Sequence, residues 1–209
     1  MIIAIDGPAA SGKGTLGKRL ADHLGFAHLD TGLLYRAVAY VLLDRGTPLT
    51  DRDAAAKAAE NLDVSHLDAP NLRGAAMGEA ASVISAYQPV RDALLAFQRQ
   101  FAVQAPGAVL DGRDIGTVVC PDADVKLFIT ATPEERSRRR HLELLRRGEQ
   151  VEFDTILADI RRRDERDMTR ATAPLKAAPD AITLDTTHLD PGAAFRAALA
   201  IVERRRSQT

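Results

Sequence analysis

Residues 7 to 15 of this 209-residue chain read Gly-Pro-Ala-Ala-Ser-Gly-Lys-Gly-Thr, directly after the run Met1-Ile2-Ile3-Ala4-Ile5-Asp6. An apolar strand, a glycine-rich turn and a helix start, in that order, form a cradle for an anion. Gly7, Gly12 and Gly14 are expected to bend the backbone so that successive N–H groups point inward. The helix that begins near Lys13 adds the positive end of its dipole. Lys13 itself supplies a mobile charge for the outer phosphates of a nucleotide. One departure narrows the choice: the general pattern puts Ser or Thr straight after the Lys, whereas here Gly14 intervenes and Thr15 follows.

A second chemistry-bearing segment is Asp111-Gly112-Arg113-Asp114-Ile115-Gly116, two acids and an arginine in a Gly-bounded loop. The alternative is an Arg–Asp pair that merely closes a turn. A third is the arginine run between 136 and 170: Arg136, Arg138, Arg139, Arg140, Arg146, Arg147, Arg161, Arg162, Arg163, Arg166 and Arg170. Acids are almost as frequent there, which argues against a nucleic-acid arm and for solvated helix faces with i,i+4 pairing. Helical spacing still aligns Arg136, Arg139 and Arg140 on one face, and Arg163, Asp167 and Arg170 on another if that helix reaches 170. The polar link Arg146-Arg147-Gly148-Glu149-Gln150 would join two such helices into a lid that carries charge over a bound nucleotide.

Elements must position these groups. Apolar runs at 2–5, 26–29, 107–111, 124–130 and 181–185 read as buried strands. Helical patterns fall at about 14–24, 32–45, 51–60, 75–86, 89–104, 132–147, 153–167 and 191–206. Thr132-Pro133 with Glu135, and Asp190-Pro191, look like helix starts. The alternation predicts an α/β fold, a five-stranded parallel sheet with helices on both faces. Ligands bind such sheets at the carboxyl ends of the strands, so the Asp111–Gly116 loop should lie beside the glycine-rich one. Residues 62–74 break the helical pattern and read as an insertion or linker.

Composition excludes several classes. A net charge of −1 provides no global field for nucleic acid or a membrane. No run of 18 apolar residues exists, and the first residues form a strand and not a signal peptide. Cys120, the single cysteine, forbids an intrachain disulfide, suits a reducing cytoplasm, and reads as a small buried apolar residue. His23, His28, His66, His141 and His188 have no zinc-site spacing.

The motifs together resemble those of the bacterial cytidylate kinases, the (d)CMP kinase branch of the nucleoside monophosphate kinases. The matching residues are Ile5 through Thr15, Leu29-Asp30-Thr31-Gly32 with Tyr35-Arg36, Val90-Arg91-Asp92-Ala93-Leu94, Asp111 through Val119, Pro133-Glu134-Glu135-Arg136, and Arg163-Asp164-Glu165-Arg166-Asp167 through Arg170-Ala171-Thr172-Ala173-Pro174-Leu175. The resemblance covers nearly the whole length. It implies a P-loop kinase that transfers phosphate from ATP, with Mg²⁺, to CMP and dCMP in the cytoplasm, acting as a monomer. Gly7, Pro8, Ala9, Ala10, Ser11, Gly12, Lys13, Gly14 and Thr15 would hold ATP, with Arg139 and Arg140 from the lid, and Thr15 would position Mg²⁺ directly or through water. Tyr35, Arg36 and Arg113 would bind the CMP phosphate, with Arg163 near it, and Thr31 joins this wall. Ser82, Arg91, Asp114 and Arg170 would read cytosine, and Asp167 the ribose. Lys13, Arg36, Arg113 and Arg163 would neutralise the transferring group.

The implied organisation is one domain over 1–209. Its core is 1–30, 105–131 and 180–209, with a CMP-binding region at about 31–104 and a lid at about 140–170. The family's β-rich insertion is reduced here to 62–74, with Asn71-Leu72-Arg73-Gly74 as a remnant turn. Other readings differ in checkable ways. A P-loop kinase for shikimate or dephospho-coenzyme A would lack the Arg-Asp-x-Arg-Asp run. A regulatory GTPase needs Asn-Lys-x-Asp, but Asn61 and Asn71 are not followed by Lys. A non-catalytic nucleotide-binding module would lack the acceptor-side arginines.

Overall fold

A computed structural model describes residues 1–67 and 69–207, so Asp68 within the 62–74 segment and the last two residues of the core's final stretch lie outside it. Five strands, β1 (Ile2–Asp6), β2 (Ala27–Asp30), β3 (Ala108–Gly112), β4 (Val125–Thr130) and β5 (Ile182–Asp185), form one sheet in the order β2-β3-β1-β4-β5. Every neighbouring pair is parallel. Eight α-helices alternate with them among the described residues: α1 (Lys13–Leu24), α2 (Thr31–Asp44), α3 (Arg52–Glu60), α4 (Ala75–Ile84), α5 (Gln88–Ala102), α6 (Pro133–Arg146), α7 (Phe153–Thr169) and α8 (Pro191–Arg206).

The two-residue period of β1 explains the layers. Ile3 and Ile5 face Leu16 and Leu20 of α1 and Ala198 and Val202 of α8. Ala4 faces the other way, into a core with Leu34 and Val38 of α2 and Val90 and Leu94 of α5. Full burial of each such Ile or Leu stabilises by about 1.5–3 kcal/mol. The expected starts of α6 and α8 are present: Thr132 accepts from Glu135 N at 3.3 Å, and Asp190 accepts from Gly192 and Ala193 N. Glu135 does not complete the reciprocal bond, because its carboxylate is taken by Arg138 and Arg139.

Three expectations need correction. The 181–185 strand is not buried: β5 is a sheet edge, and Ile182 is 49% exposed. Helix α7 runs past the expected 167 to Thr169 but does not include Arg170, which caps it with extended ψ. The segment read as a loop over Asp111–Gly116 begins inside β3, which runs to Gly112, and ends in a π-type turn over Ile115–Val119. Residues 62–74 hold two short 3-10 turns, Val64–His66 and Pro70–Leu72, in place of a sheet. No helix among the described residues is long and apolar enough to cross a membrane.

Candidate active site

The chain leaves β1 and enters α1 through residues 7–12, at the carboxyl edge of the sheet beside β3. Gly7 passes so close to β4 that a Cβ would lie 2.1 Å from Ile129 O, so no side chain fits there. Gly12 has φ 90 and caps α1. Gly14 differs from expectation: it already lies inside α1, and the remaining left-handed residue is Ala10, with φ 58. A non-glycine residue held there costs about 1–2 kcal/mol, strain localised in the phosphate-binding loop. Lys13 Nζ donates back to Pro8 O at 3.2 Å. Burial, then the nearby Arg113, pushes Lys13 down to about 7, against the pull of Asp111 and Asp30.

A single cleft of about 920 Å³ runs from this loop to the far wall. Most of the expected residues line it: Ala9 through Thr15, Thr31, Tyr35, Arg36, Ser82, Arg91, Arg113, Asp114, Arg139, Arg140, Arg163, Asp167 and Arg170. Gly7 and Pro8 lie beneath the loop and are buried. On the far wall Arg91, 7% exposed, pairs with Asp114 across a short contact, and its guanidinium lies 5.7 Å from the Tyr35 ring centre. Arg170 donates to Ser85 Oγ at 3.1 Å and approaches Asp114 at 3.9 Å. Arg113 Nε donates to Asp167 at 2.8 Å, and Ser82 Oγ donates to the other Asp167 oxygen at 3.2 Å. Burial works against the charge of Asp167, yet Arg113 and Arg163 hold its carboxyl below the usual range. Thr31 spends its hydroxyl proton on Asp111 O.

Between the two walls sit two cations, Arg36 and Arg163, that have carboxylates nearby but make no ion pair with them. Arg163 and Arg36 converge over Gly78 of α4, where a Cβ would meet Arg163 Nη1 at 3.1 Å and Arg36 Nη2 at 3.5 Å. Arg163 Nε is buried with no hydrogen-bond partner. Burial, and then Arg113, pushes Arg163 down to about 10. Arg36 donates to Leu72 O at 3.1 Å, so the short turn at 70–72 serves to hold a cleft arginine. Buried cations lowered by burial and by one another mark a place where an anion is stabilised.

Helices α6 and α7 pack as a hairpin around Leu144, Ile156 and Ile160. Some of their arginines are exposed and locally paired, as with Arg138–Glu135 and Arg162–Asp159. Arg136 shares with Arg139 a side of α6 that reaches the phosphate loop, but it does not line the cleft. It is buried, forks onto Asp164 of α7 at 3.0 and 2.5 Å, and donates to Ala9 O of the phosphate loop at 3.1 Å. It fastens the hairpin to the loop, while Arg139 reaches Ser11 O and Thr186 and lines the cleft.

Sequence reasoning gave Asp6 and Asp30 no role of their own, although both stand in matched motifs at strand ends, and named Asp111 only as an acid of its loop. Asp111 is bonded to His28 at 2.9 Å. Thr186 and Leu189, which extend the cleft beyond Arg139 toward Arg19, had no motif, and Asp190-Pro191 was read only as a helix start. Among the described residues no cluster of three or more His, Cys, Asp or Glu side chains is arranged to hold a metal.

The family model for cytidylate kinase matches residues 3–203. A protein named cytidylate kinase from Rhodopseudomonas palustris (strain HaA2) is 63% identical over 207 residues, covering 99% of this chain and 98% of that one. Another of that name, from Xanthobacter autotrophicus, is 62% identical and covers 99% of each. Such coverage leaves no room in these relatives for a long segment that this chain lacks. Among solved structures, an uncharacterized protein from Eubacterium ventriosum matches with TM-score 0.55 at 17% identity, over 99% of this chain and 98% of that one. A gluconokinase from Sinorhizobium meliloti matches with TM-score 0.52 at 17% identity, over 97% and 91%; these two speak to the fold alone. By the length and identity of its match, the chain belongs to the cytidylate kinase family.

Proposed function

We propose that this chain catalyses ATP + (d)CMP → ADP + (d)CDP. The observation that carries the reading is one cleft with a phosphate-binding loop at one end and a buried Arg91–Asp114 pair at the other. The nucleotide triphosphate sits on residues 7–15, with its base toward Arg19 and the 189–191 segment. The acceptor phosphate lies against Arg36, Arg113 and Arg163. That phosphate is already anionic near neutral pH, so one of its oxygens attacks the γ-phosphorus and the bond to the β-bridging oxygen breaks, without a strong base. The obstacle is repulsion between two anions, and the chain answers it with positioning and fixed positive charge from Lys13, Arg36, Arg113 and Arg163.

Cytosine presents an exocyclic amine donor with N3 and O2 acceptors. Asp114 suits the amine and Arg91 the acceptors, Arg170 steadies Asp114, and Ser82 reaches an acceptor by turning its one hydroxyl proton away from Asp167. Uracil reverses two of these atoms and leaves buried groups unpaired, at about 1–3 kcal/mol each. Asp167, between Arg113 and Ser82, suits a sugar hydroxyl. The α6–α7 hairpin serves as a lid over about 140–170, residues 31–104 as the acceptor side, and the chain as one catalytic domain.

A divalent cation fits the donor set. Hydroxyls of Ser11, Thr15 and Thr31 and carboxylates of Asp30 and Asp111 line the phosphate end, and no group of three or more His, Cys, Asp or Glu side chains is assembled to hold a metal among the described residues, the pattern of Mg²⁺ held largely by phosphate oxygens and water. Bound there, it would supply Lewis-acid neutralisation of the phosphates. ADP release from Mg-ATP, measured with CMP, dCMP, UMP, AMP and shikimate as separate acceptors, tests the proposal. Turnover concentrated on CMP and dCMP is expected; none with any nucleotide defeats it.

A further inference from the structure

Asp6 takes no part in the reaction just described, yet it is a carboxylate only 4% exposed at the end of β1. Each of its oxygens accepts one backbone bond, Oδ1 from Ile115 N at 2.7 Å and Oδ2 from Gly116 N at 2.8 Å. These are orphan donors of the π-type turn over Ile115–Val119. The residue at the cap position of that turn is Asp114, which makes no side-chain cap bond. An aspartate at a cap ordinarily spends its carboxylate on the following N–H groups. Here Asp6 takes that task, and the Asp114 carboxylate is left for Arg91 and the cleft.

We propose that Asp6 is a positioning residue for acceptor specificity: it caps the turn from outside so that Asp114 can face the base. The inference rests on the reading of Asp114 and Arg91 as the base-contacting pair. Because Asp6 directly precedes Gly7, the same carboxylate ties the strand that launches the phosphate loop to the loop that reads the acceptor. The charged groups around it are Asp114, Lys13 and, across Gly116, the Lys126 chain; Cys120 is the remaining titratable neighbour. Burial, assisted by Asp114, raises Asp6 to about 6 despite its two backbone bonds. An amide cannot replace the carboxylate: an asparagine side chain has one oxygen and one NH₂, so it sets N–H against N–H at one of the two positions.

The test is Asp6→Asn, with steady-state kinetics in both substrates. The expected result is a rise in KM for CMP of about tenfold or more, as for a buried donor that loses its partner, with KM for ATP within about twofold. Equal rises for both substrates, or a loss of thermal stability with unchanged KM for CMP, overturn the proposal. Should the variant not fold, the wild-type protein without nucleotide decides. The amide protons of Ile115 and Gly116 and the Arg91 Nε–H signal should all move with one midpoint near pH 6 in NMR; a flat Arg91 signal while the two amides titrate overturns the proposal. If wild type shows no preference for CMP over UMP, the base-reading assignment fails, and the coupling between Asp6 and Arg91 remains separately readable in the same spectra.

Discussion

The two ends of the cleft solve the problem of buried charge in opposite ways. From the phosphate loop to the middle of the cleft, cations are buried without an ion pair among the described residues: Lys13 is pushed down to about 7 in spite of Asp111 and Asp30, and Arg163 Nε has no hydrogen-bond partner. On the far wall Arg91 and Arg113 each have a carboxylate in place, Asp114 and Asp167. An unmatched cation cluster raises the free energy of the empty protein and is relieved by an anion. A pre-paired wall is nearly neutral when empty, and can discriminate among polar edges because a wrong edge breaks bonds already made. The first arrangement favours affinity for phosphate, the second favours specificity for a base.

Substitutions can break this contrast, because stability should respond with opposite sign at the two kinds of charge. The largest effect is expected at the buried pair that joins lid to loop: Arg136→Ala strands Asp164 and should destabilise by about 3–5 kcal/mol in denaturant unfolding. A loss under about 1 kcal/mol, the size of an exposed pair, would mean that the contact is solvated. Lys13→Met should do the reverse, lowering kcat by about 10²–10³ while thermal stability holds or rises. A clear drop in melting temperature for that variant would show that the cation cluster is not strained. Arg113→Lys keeps the charge but loses the fork, and should raise KM for CMP more than KM for ATP.

Acid provides a gentler probe. Asp167 is held below the usual carboxylate range by Arg113 and Arg163 in spite of burial, so its folded pKa lies below the unfolded 3.8. Its contribution is present above that value and is lost as pH falls through the lower folded one. Asp167→Asn should therefore flatten the stability curve below about pH 4, relative to wild type. An unchanged acid slope would place the Arg113–Asp167 contact outside the stability account. Smallest of all, Ala173→Gly at φ 44 should gain up to about 1 kcal/mol by relieving a left-handed alanine next to the loop of Arg170.

The same contrast explains what could be read from the residues alone. The phosphate end is contiguous, so strand, loop and helix start were visible in one short stretch, and only the bend moved, from Gly14 to Ala10. The helix and strand ranges fell within a few residues of their places because their periods are strong. The far wall is assembled from α2, α4, α5, the β3 end and α7, and no local pattern tells that Ser82 meets Asp167 across 85 positions. There the resemblance to a family supplied what periodicity could not. Asp6 and Arg136 were misjudged for one reason: each looked like a member of its own segment, while its partners come from more than a hundred positions away. The edge position of β5 was hidden because strand order is decided by crossovers and not by composition.

The most direct measurement is the ratio of kcat/KM for CMP to that for UMP, in wild type and in Asp114→Asn. A pre-paired wall that reads cytosine predicts a large ratio in wild type that collapses in the variant, through loss on CMP and not through gain of stability. A ratio near one in wild type, or one unchanged by the substitution, would contradict the assignment of specificity to the Arg91–Asp114 end of the cleft.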